Sequence, residues 1–219
     1  MLALMHKEAK KRHAPVFHAE SATKSTPFTI LVFTMLSART KDEMTTKAVK
    51  RLFTSAKTQK TNSRKTRNKT ITPKQILSLG KNKLQKILYG VGFYRVKAKH
   101  LIAMCRILEA RGGRVPDTLE GLLELPGVGR KTANIVLSRA FGKNTLGVDV
   151  HVHRISNRLG LVRTKKPEET EKALVKLIPE KHLRSLNRDF VAFGQTVCLP
   201  RKPLCDGCPI RKSCARIGV

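Results

Sequence analysis

A lysine and an aspartate each stand where a helical segment begins, and together they could carry nucleophilic chemistry. Lys131 follows a glycine-rich turn, where the adjacent Arg130 and the positive end of the next helix both favour the neutral amine. A neutral lysine amine attacks aldehyde-like carbons and forms a Schiff base. Position alone favours the plainer interpretation, a solvated lysine that binds phosphate.

Asp149 lies directly before a helical pattern that continues to Leu159. An aspartate in this position commonly caps the helix by accepting hydrogen bonds from its first amides. The same carboxylate could also take a proton from a nucleophilic amine or stabilise a developing cation. Asp149 is the only carboxylate between Glu124 and Glu168, so it is the best partner for Lys131 if that lysine reacts.

Four cysteines with the spacing C-x6-C-x2-C-x5-C could bind a metal: Cys198, Cys205, Cys208 and Cys214. Four soft ligands so close together indicate a metal centre rather than disulfides in a reducing compartment. Zinc sites more often use two C-x2-C pairs set well apart. A single compact loop with one such pair favours a 4Fe–4S cluster. The fifth cysteine, Cys105, lies in an apolar helical pattern and is expected in the core.

The element that must position Lys131 is a helical hairpin over residues 118–140. Its sequence is an apolar helical pattern, a proline, the residues Gly127, Val128 and Gly129, and a second helical pattern that starts with Arg130 and Lys131. The two glycines permit backbone angles that other residues avoid, which leaves amide groups exposed at a helix N-terminus. Such a terminus binds anions well, although a plain helix–helix turn would use the same glycines.

Positive charge dominates the composition, since 45 Lys and Arg against 15 Asp and Glu give a net charge of +30 at pH 7. Hydrophobic residues make up 40% of the chain, which excludes a disordered polyelectrolyte. Between Glu43 and Glu109 there are 17 Lys or Arg and no acidic residue. This excess indicates a polyanionic partner, so the expected anion is a nucleic-acid phosphate. An anionic membrane surface is the weaker alternative, because the sequence has no long basic amphipathic helix with an aromatic face.

No apolar run reaches the length of a membrane span, and the apolar residues 1–5 are too few for a signal peptide. We therefore expect no membrane association and an intracellular location. That location would be the cytoplasm, beside the nucleoid, or the nucleus or mitochondrion of a eukaryote. Such compartments are reducing, which strengthens the metal interpretation of the four cysteines.

Strand-type alternation of useful length is absent from the sequence, so we predict an all-α fold. The most apolar stretch, residues 27–38, could be a buried strand or a buried helix, and its helical continuation through residues 41–53 favours the helix. Further helices are predicted over residues 74–79, 81–88, 94–112, 118–124, 131–140, 149–159, 168–177 and 182–195.

Two segments have too few apolar residues at helical spacing to predict helix throughout. Residues 1–26 are polar and basic, and we expect one short helix there, followed by a loop. Residues 54–75 hold seven Lys or Arg and no acid, with Ala56 and Ile71 as their only apolar residues. They cannot bury a face, so we predict a flexible loop that binds nucleic acid without sequence preference.

Three segments together resemble the endonuclease III family, in the helix–hairpin–helix superfamily of DNA glycosylases. They are LPGVGRKTAN, VDVHVHRISNRLG and the cysteine run that ends in CDGCPIRKSC, within a resemblance that covers roughly residues 27–216. The resemblance implies two α-helical domains with an active cleft between them. A six-helix domain of residues 21–143 would contain the hairpin. Residues 1–20 and 144–219 would form the other domain, with the cluster loop at 198–214.

The resemblance also implies roles for the chemistry-bearing residues. Lys131 would attack C1′ of a damaged nucleotide with the assistance of Asp149, and the four clustered cysteines would hold a 4Fe–4S cluster. The hairpin carbonyls of Leu123, Leu125 and Val128 would hold a monovalent cation.

DNA contacts are implied for a third group of residues. Arg39 stands where the family often has a glutamine that fills the gap left by a flipped base, and Phe93 matches the second wedge residue. The hairpin residues 127–130 and His151 are expected to contact DNA. Val150 replaces the threonine that usually follows the aspartate, which removes a hydroxyl but leaves the acid.

The enzyme implied is a base-excision bifunctional DNA glycosylase and abasic-site lyase. It would act as a monomer on damaged double-stranded DNA and remove oxidised pyrimidines by Schiff-base chemistry and β-elimination. Adenine and mismatch-thymine glycosylases of the same superfamily lack a lysine at the position of Lys131, so a monofunctional mismatch glycosylase is the runner-up. A non-catalytic DNA-binding protein with a structural zinc is the alternative from another class.

Overall fold

The computed structural model of the protein describes residues 1–17, 26–58 and 71–219. Within these ranges the chain forms helices and no strand, which confirms the predicted all-α class. The helices are α1 (Leu2–Lys11), α2 (Pro27–Ser37), α3 (Asp42–Lys57), α4 (Pro73–Leu77), α5 (Gly80–Ile87), α6 (Tyr94–Ala110), α7 (Leu119–Leu123), α8 (Arg130–Phe141), α9 (Val150–Leu159), α10 (Pro167–Leu177) and α11 (Glu180–Thr196).

The chain divides into two compact units. One unit is Ala22–Phe141, and the other combines Met1–Ser21 with Gly142–Val219. Lys131 therefore belongs to the first unit, and Asp149 belongs to the second. Among the described residues, no helix combines the length and the apolar character needed to cross a membrane.

The core of the unit Ala22–Phe141 is built around α2, which packs against α3 and α8. This helix is buried on every side, as its uninterrupted apolar sequence requires. Thr26 caps it by accepting a hydrogen bond from the Thr29 amide, and Pro27 occupies its first position. The helical interpretation of residues 27–38 is confirmed.

The predicted continuity between residues 27–38 and 41–53 is wrong. Helix α2 ends at Ser37, a turn follows, and α3 starts at Asp42. The predicted loop at 54–75 also starts too early, because α3 continues to Lys57 and Ala56 is fully buried. The burial of Ala56 shows that the packed face of α3 continues past the boundary that charge predicted. Residues 59–70 of that basic stretch lie outside the described residues.

The other unit has its core where α11 packs against both α1 and α9. Large side chains such as Met5, Phe190 and Phe193 are almost completely buried there. A partly buried side-chain contact adds to this packing, with His6 Nδ1 placed 2.9 Å from Asp189 Oδ1. The long helix α11 is therefore the support on which α9 and its preceding loop rest.

Candidate active site

The hairpin turn before α8 is closed by a hydrogen bond from the Val128 amide to the Leu125 carbonyl, 3.0 Å long. Pro126 and Gly127 occupy its two central positions, and Gly127 has φ +81°, as a type II turn requires. A Cβ at Gly127 would also lie 2.9 Å from His100 Nδ1 on α6. Both the backbone angle and the close packing therefore demand glycine at this position.

Lys131 occupies the first turn of α8, and its side chain is exposed. The Ala133 amide donates to the Gly129 carbonyl at 2.9 Å, so Gly129 immediately precedes the helix. Behind Lys131, the residues Thr132, Ala133 and Asn134 are buried. The turn and this buried face together fix the direction in which the lysine leaves the helix.

Asp149 caps α9 with one carboxylate oxygen. Its Oδ1 accepts hydrogen bonds of 2.9 Å from the amides of both His151 and Val152, and its backbone is extended. The loop before it is tied to α11, because Asn187 Nδ2 donates to the Gly147 carbonyl at 2.6 Å. The carboxylate therefore has a fixed position, which suits a cap and a reacting group equally.

The four clustered cysteines line one cavity together with apolar side chains that include Ile155, Phe193 and Ile210. None of the four forms a disulfide bond. Burial raises the pKa of Cys208, and the negative charges of Cys214, Cys198 and Cys205 raise it further. The structure thus brings the four predicted ligands around a common apolar space.

Four cysteines around one apolar cavity fit the chemistry of a 4Fe–4S cluster, whose irons are held by cysteine thiolates. In the described parts of the chain, no three His, Cys, Asp or Glu side chains converge closely enough to hold one ion. A 4Fe–4S cluster spreads its thiolate ligands over separate irons, so those ligands lie farther apart than the ligands of one zinc ion. The four cysteines that line the cavity provide the number and type of ligands that such a cluster requires.

Arg39 and Phe93 lie side by side, although 53 positions separate them in the sequence. Both have left-handed backbones, with φ +53° and +57°. The Arg39 guanidinium carbon lies 5.7 Å from the centre of the Phe93 ring, and Phe93 is 62% exposed. Exposed, strained positions outside glycine are uncommon and cluster at functional sites.

Comparison with known proteins identifies the family of this chain. The family model of the HhH-GPD superfamily base excision DNA repair proteins matches residues 32–180. Endonuclease III of Thermotoga maritima is 48% identical over 189 residues, which are 86% of this chain and 82% of that protein. The chain belongs to the endonuclease III family.

Two solved structures support the assignment at the level of the fold. A non-covalent endonuclease III–DNA complex has a TM-score of 0.80 and 33% identity, with 98% of this chain and 92% of that chain covered. A trapped endonuclease III–DNA covalent intermediate has a TM-score of 0.81 and 32% identity at the same coverage. The predicted family, the enzyme class of DNA glycosylase and lyase, and the DNA partner are confirmed.

Sequence reasoning missed the arginines through which α9 holds the cysteine segment of this endonuclease III homologue. Arg158 Nη1 donates to the Leu199 carbonyl at 2.6 Å, and Nη2 donates to the Pro200 carbonyl at 2.9 Å. Arg154 Nη2 donates to the Cys198 carbonyl at 2.9 Å. Arg158 is only 8% exposed. Its spacing of three residues from the buried Ile155 was the available signal, since it places both on one helix face.

A second missed residue of the endonuclease III fold is Lys97 on α6, which is 8% exposed. It shares the buried face of that helix with Leu101, Met104 and Leu108. The spacing of 4, 7 and 11 residues could have revealed it, because a lysine in an apolar stripe must find polar partners.

Two further residues singled out in the sequence are His151 and Cys105. His151 is half-buried, its Nδ1 lies 3.2 Å from Arg154 Nη2, and its ring packs beside Gly194. Its contact with DNA stays a prediction. Cys105 is completely buried, as predicted, and burial raises the pKa of its thiol to about 12.

Proposed function

We propose that Lys131 is the nucleophile and Asp149 its acidic partner in the removal of oxidised pyrimidines from double-stranded DNA. The observation that carries the proposal is the exposed lysine in the first turn of α8, directly after a rigid hairpin turn. A preformed turn keeps the amine oriented without reorganisation at the moment of reaction.

The reaction starts when the damaged nucleotide leaves the helix, at a cost on the order of a few kcal/mol that is smaller for a damaged base. The neutral amine of Lys131 attacks C1′, and the bond from C1′ to the base breaks. Asp149 takes the proton from the amine and stabilises positive charge that develops at the sugar. The C1′–O4′ bond then breaks and O4′ takes the proton that Asp149 holds, which converts the C1′ adduct into a Schiff base. Loss of a C2′ proton from the Schiff base expels the 3′ phosphate, and this β-elimination breaks the strand on the 3′ side of the lesion.

Other residues hold the DNA in register. Arg39 and Phe93 fill the gap that the flipped nucleotide leaves. The amides of residues 127–130 at the start of α8 bind phosphate, where the helix dipole favours an anion. Such contacts position the duplex and do not select its sequence.

A basic surface supports the nucleic-acid partner. Lys50 and Arg51 of α3 and Lys83 and Lys86 of α5 line one open depression, and all four are exposed. The acidic residues nearest to them in sequence are Glu43 and Glu109. Each phosphate contact made by such a surface adds about 0.9 to the salt slope of log affinity.

Two bound groups complete the proposal. Cys198, Cys205, Cys208 and Cys214 hold a 4Fe–4S cluster, which supplies a cross-link that shapes the basic loop around them. The carbonyls of Leu123, Leu125 and Val128 hold a monovalent cation at the hairpin. The enzyme acts as a monomer.

Borohydride trapping on a duplex that contains thymine glycol tests the proposal. The enzyme should form a covalent complex, and Lys131→Gln should abolish both trapping and strand cleavage while DNA binding remains. Lys176→Gln, an exposed lysine on α10, is the matched control and should trap normally.

Trapping, base release and metal content together distinguish the competing functions. Base release without trapping by the unmodified enzyme would indicate a monofunctional glycosylase. Persistent trapping by Lys131→Gln would mean that another amine reacts. A colourless protein with one zinc and no base release would indicate a non-catalytic DNA-binding protein.

A further inference from the structure

The loops that carry Arg39 and Phe93 touch through their backbones. A Cβ at Gly92 would lie 2.5 Å from the Arg39 carbonyl oxygen, so only glycine permits this approach. The Gly92 amide also donates to Thr40 Oγ1 at 3.1 Å. Neighbours of the two exposed residues are thus bonded to each other.

Lys97 lies next to this contact, and its ammonium group makes three hydrogen bonds. Its Nζ donates to the carbonyls of Leu36 and Ala38 at 2.7 and 2.5 Å, and to Thr40 Oγ1 at 3.0 Å. An ammonium group has three donors, and each has an acceptor here. The two carbonyls lie at the C-terminal end of α2, where the helix dipole favours a cation.

Capping of α2 explains only part of this geometry. The acceptors on Ala38 and Thr40 stand on both sides of Arg39, so Lys97 fixes the backbone that turns Arg39 outward. The Lys97 amide donates to the Phe93 carbonyl at 3.0 Å, which is the first helical hydrogen bond of α6 and places Lys97 one turn after Phe93. The side chain of Lys97 therefore joins the backbone around Arg39 to the first turn of α6, the helix that begins directly after Phe93.

We propose that Lys97 is a positioning residue for lesion recognition, which holds Arg39 and Phe93 together as one preformed wedge. The pair then enters the gap in the duplex without first being ordered. This inference rests on the proposed function, because the gap-filling role of the two residues does. Without the three hydrogen bonds, the strained backbone at Arg39 loses its support and relaxes to an ordinary conformation, and the contact with Phe93 is lost.

The test compares strand cleavage at an abasic site in a duplex with cleavage at the same site in a single strand. A single strand has no opposite base and no gap to fill, so the ratio of the two rates isolates the wedge. We expect Lys97→Met to lower the duplex rate by about 10- to 100-fold and to leave the single-strand rate unchanged.

A double variant decides whether Lys97 acts through Arg39. If it does, Lys97→Met combined with Arg39→Ala should be no slower on duplex than the slower single variant. Thr40→Val is a second, milder variant for the case in which Lys97→Met does not fold. It removes the acceptor that Lys97 and Gly92 share, so it should lower the same ratio.

Leu101→Ala is the control for stability. Leu101 is completely buried on α6, one turn after Lys97. Its truncation destabilises the same helix and should leave the ratio of the two rates unchanged.

Three results would overturn the positioning role. They are a normal ratio in folded Lys97→Met and Thr40→Val, a multiplicative effect in the double variant, and a lowered ratio in Leu101→Ala. If Arg39→Ala alone leaves the ratio of the two rates unchanged, the gap-filling role of Arg39 is wrong. The positioning role of Lys97, which depends on it, is then wrong as well. A slow Arg39→Ala beside a normal Lys97→Met overturns only the inference.

Discussion

The two residues proposed to react stand at the starts of two helices that are held in different ways. Helix α8 is oriented by the backbone turn before it, through Gly127 and the hydrogen bond between Val128 and Leu125. Helix α9 is capped by Asp149 itself and is bound near its far end to the cysteine segment by Arg158. The first helix depends on local geometry, and the second depends on a segment distant in sequence.

The difference concerns what each region needs in order to stay ordered. The hairpin contains its own hydrogen bonds and packs a buried face, so it should persist without any bound group. The cysteine segment has only one short 3₁₀ turn, Arg211–Ser213, among its described residues. Irregular chain of this kind is commonly ordered by its metal. We therefore expect loss of the metal to affect α9 and to leave α8 intact.

The largest expected effect comes from Asp149→Asn. The amide cannot accept the proton or stabilise the developing cation, so base removal should slow by about 10²- to 10⁴-fold. The melting temperature should change little, because asparagine is as good an N-cap as aspartate. Asp149→Ala should lose activity and also about 1 kcal/mol of stability. A clear loss of melting temperature with normal turnover in Asp149→Asn would leave Asp149 with a structural role only.

The next largest effect is expected on the structural order of the cysteine segment, residues 198–214, in the variant Cys208→Ala. Iron content should fall strongly, and hydrogen exchange should rise in residues 198–214 and at the end of α9 while α8 stays protected. Cys105→Ala is the matched control, because this buried cysteine is outside the cavity and should keep the iron. Elemental analysis with one zinc and no iron in the unmodified protein would contradict the cluster. Equal exchange in α8 and α9 would contradict the comparison.

A smaller effect is expected from Gly127→Ala. The new side chain meets His100, and its φ of +81° is strained, so the unfolding free energy should fall by about 1–3 kcal/mol. Gly129→Ser provides the control, since nothing lies within 4 Å of a Cβ at Gly129 and serine caps helices well. Urea denaturation compares them. Equal stability of the two variants would show that the turn does not constrain the hairpin.

The smallest effect is the dependence of stability on pH through Lys97. Burial lowers the pKa of Lys97 to about 8 from its usual 10.5. Between these values the unfolded chain keeps a proton that the folded chain has released, so the unfolding free energy should rise with pH. The difference in unfolding free energy between the unmodified protein and Lys97→Met should follow this rise from pH 7.5 to 10. Parallel curves would show that the three hydrogen bonds of Lys97 outweigh its burial.

Local signals made much of this fold predictable. The hairpin, the cap at Asp149 and the end of α9 at Gly160 depend on residues within a few positions of one another, so the sequence carries them directly. The apolar character of α2 likewise followed from composition alone. The four cysteines were recognisable because ligand chemistry restricts residue type and spacing.

The residues that escaped prediction depend on tertiary structure. Arg39 and Phe93 were each predicted as DNA contacts, but their contact with each other was not, because the two residues are far apart in sequence. The hydrogen bonds from Lys97 likewise cross from α6 to the end of α2. In the sequence, Arg154 and Arg158 indicate a polar, exposed helix face. In the structure, both donate hydrogen bonds to backbone carbonyls of residues 198–200. Backbone carbonyls are invisible in a sequence, so lysine and arginine side chains that cap them look like surface charge.

The packing of α1 on α11 has a consequence for how the chain is made. At about 5–20 residues per second, α1 leaves the ribosome on the order of ten seconds before α11 exists to receive it. Met5 and Ala9 of α1 are fully buried in the folded protein. We expect these apolar side chains to stay exposed to solvent while the intervening unit is synthesised. Because α1 packs on α11, we expect it to dock only after α11 has been made, and a nascent chain that stalls after α8 should leave α1 accessible to chaperones and proteases.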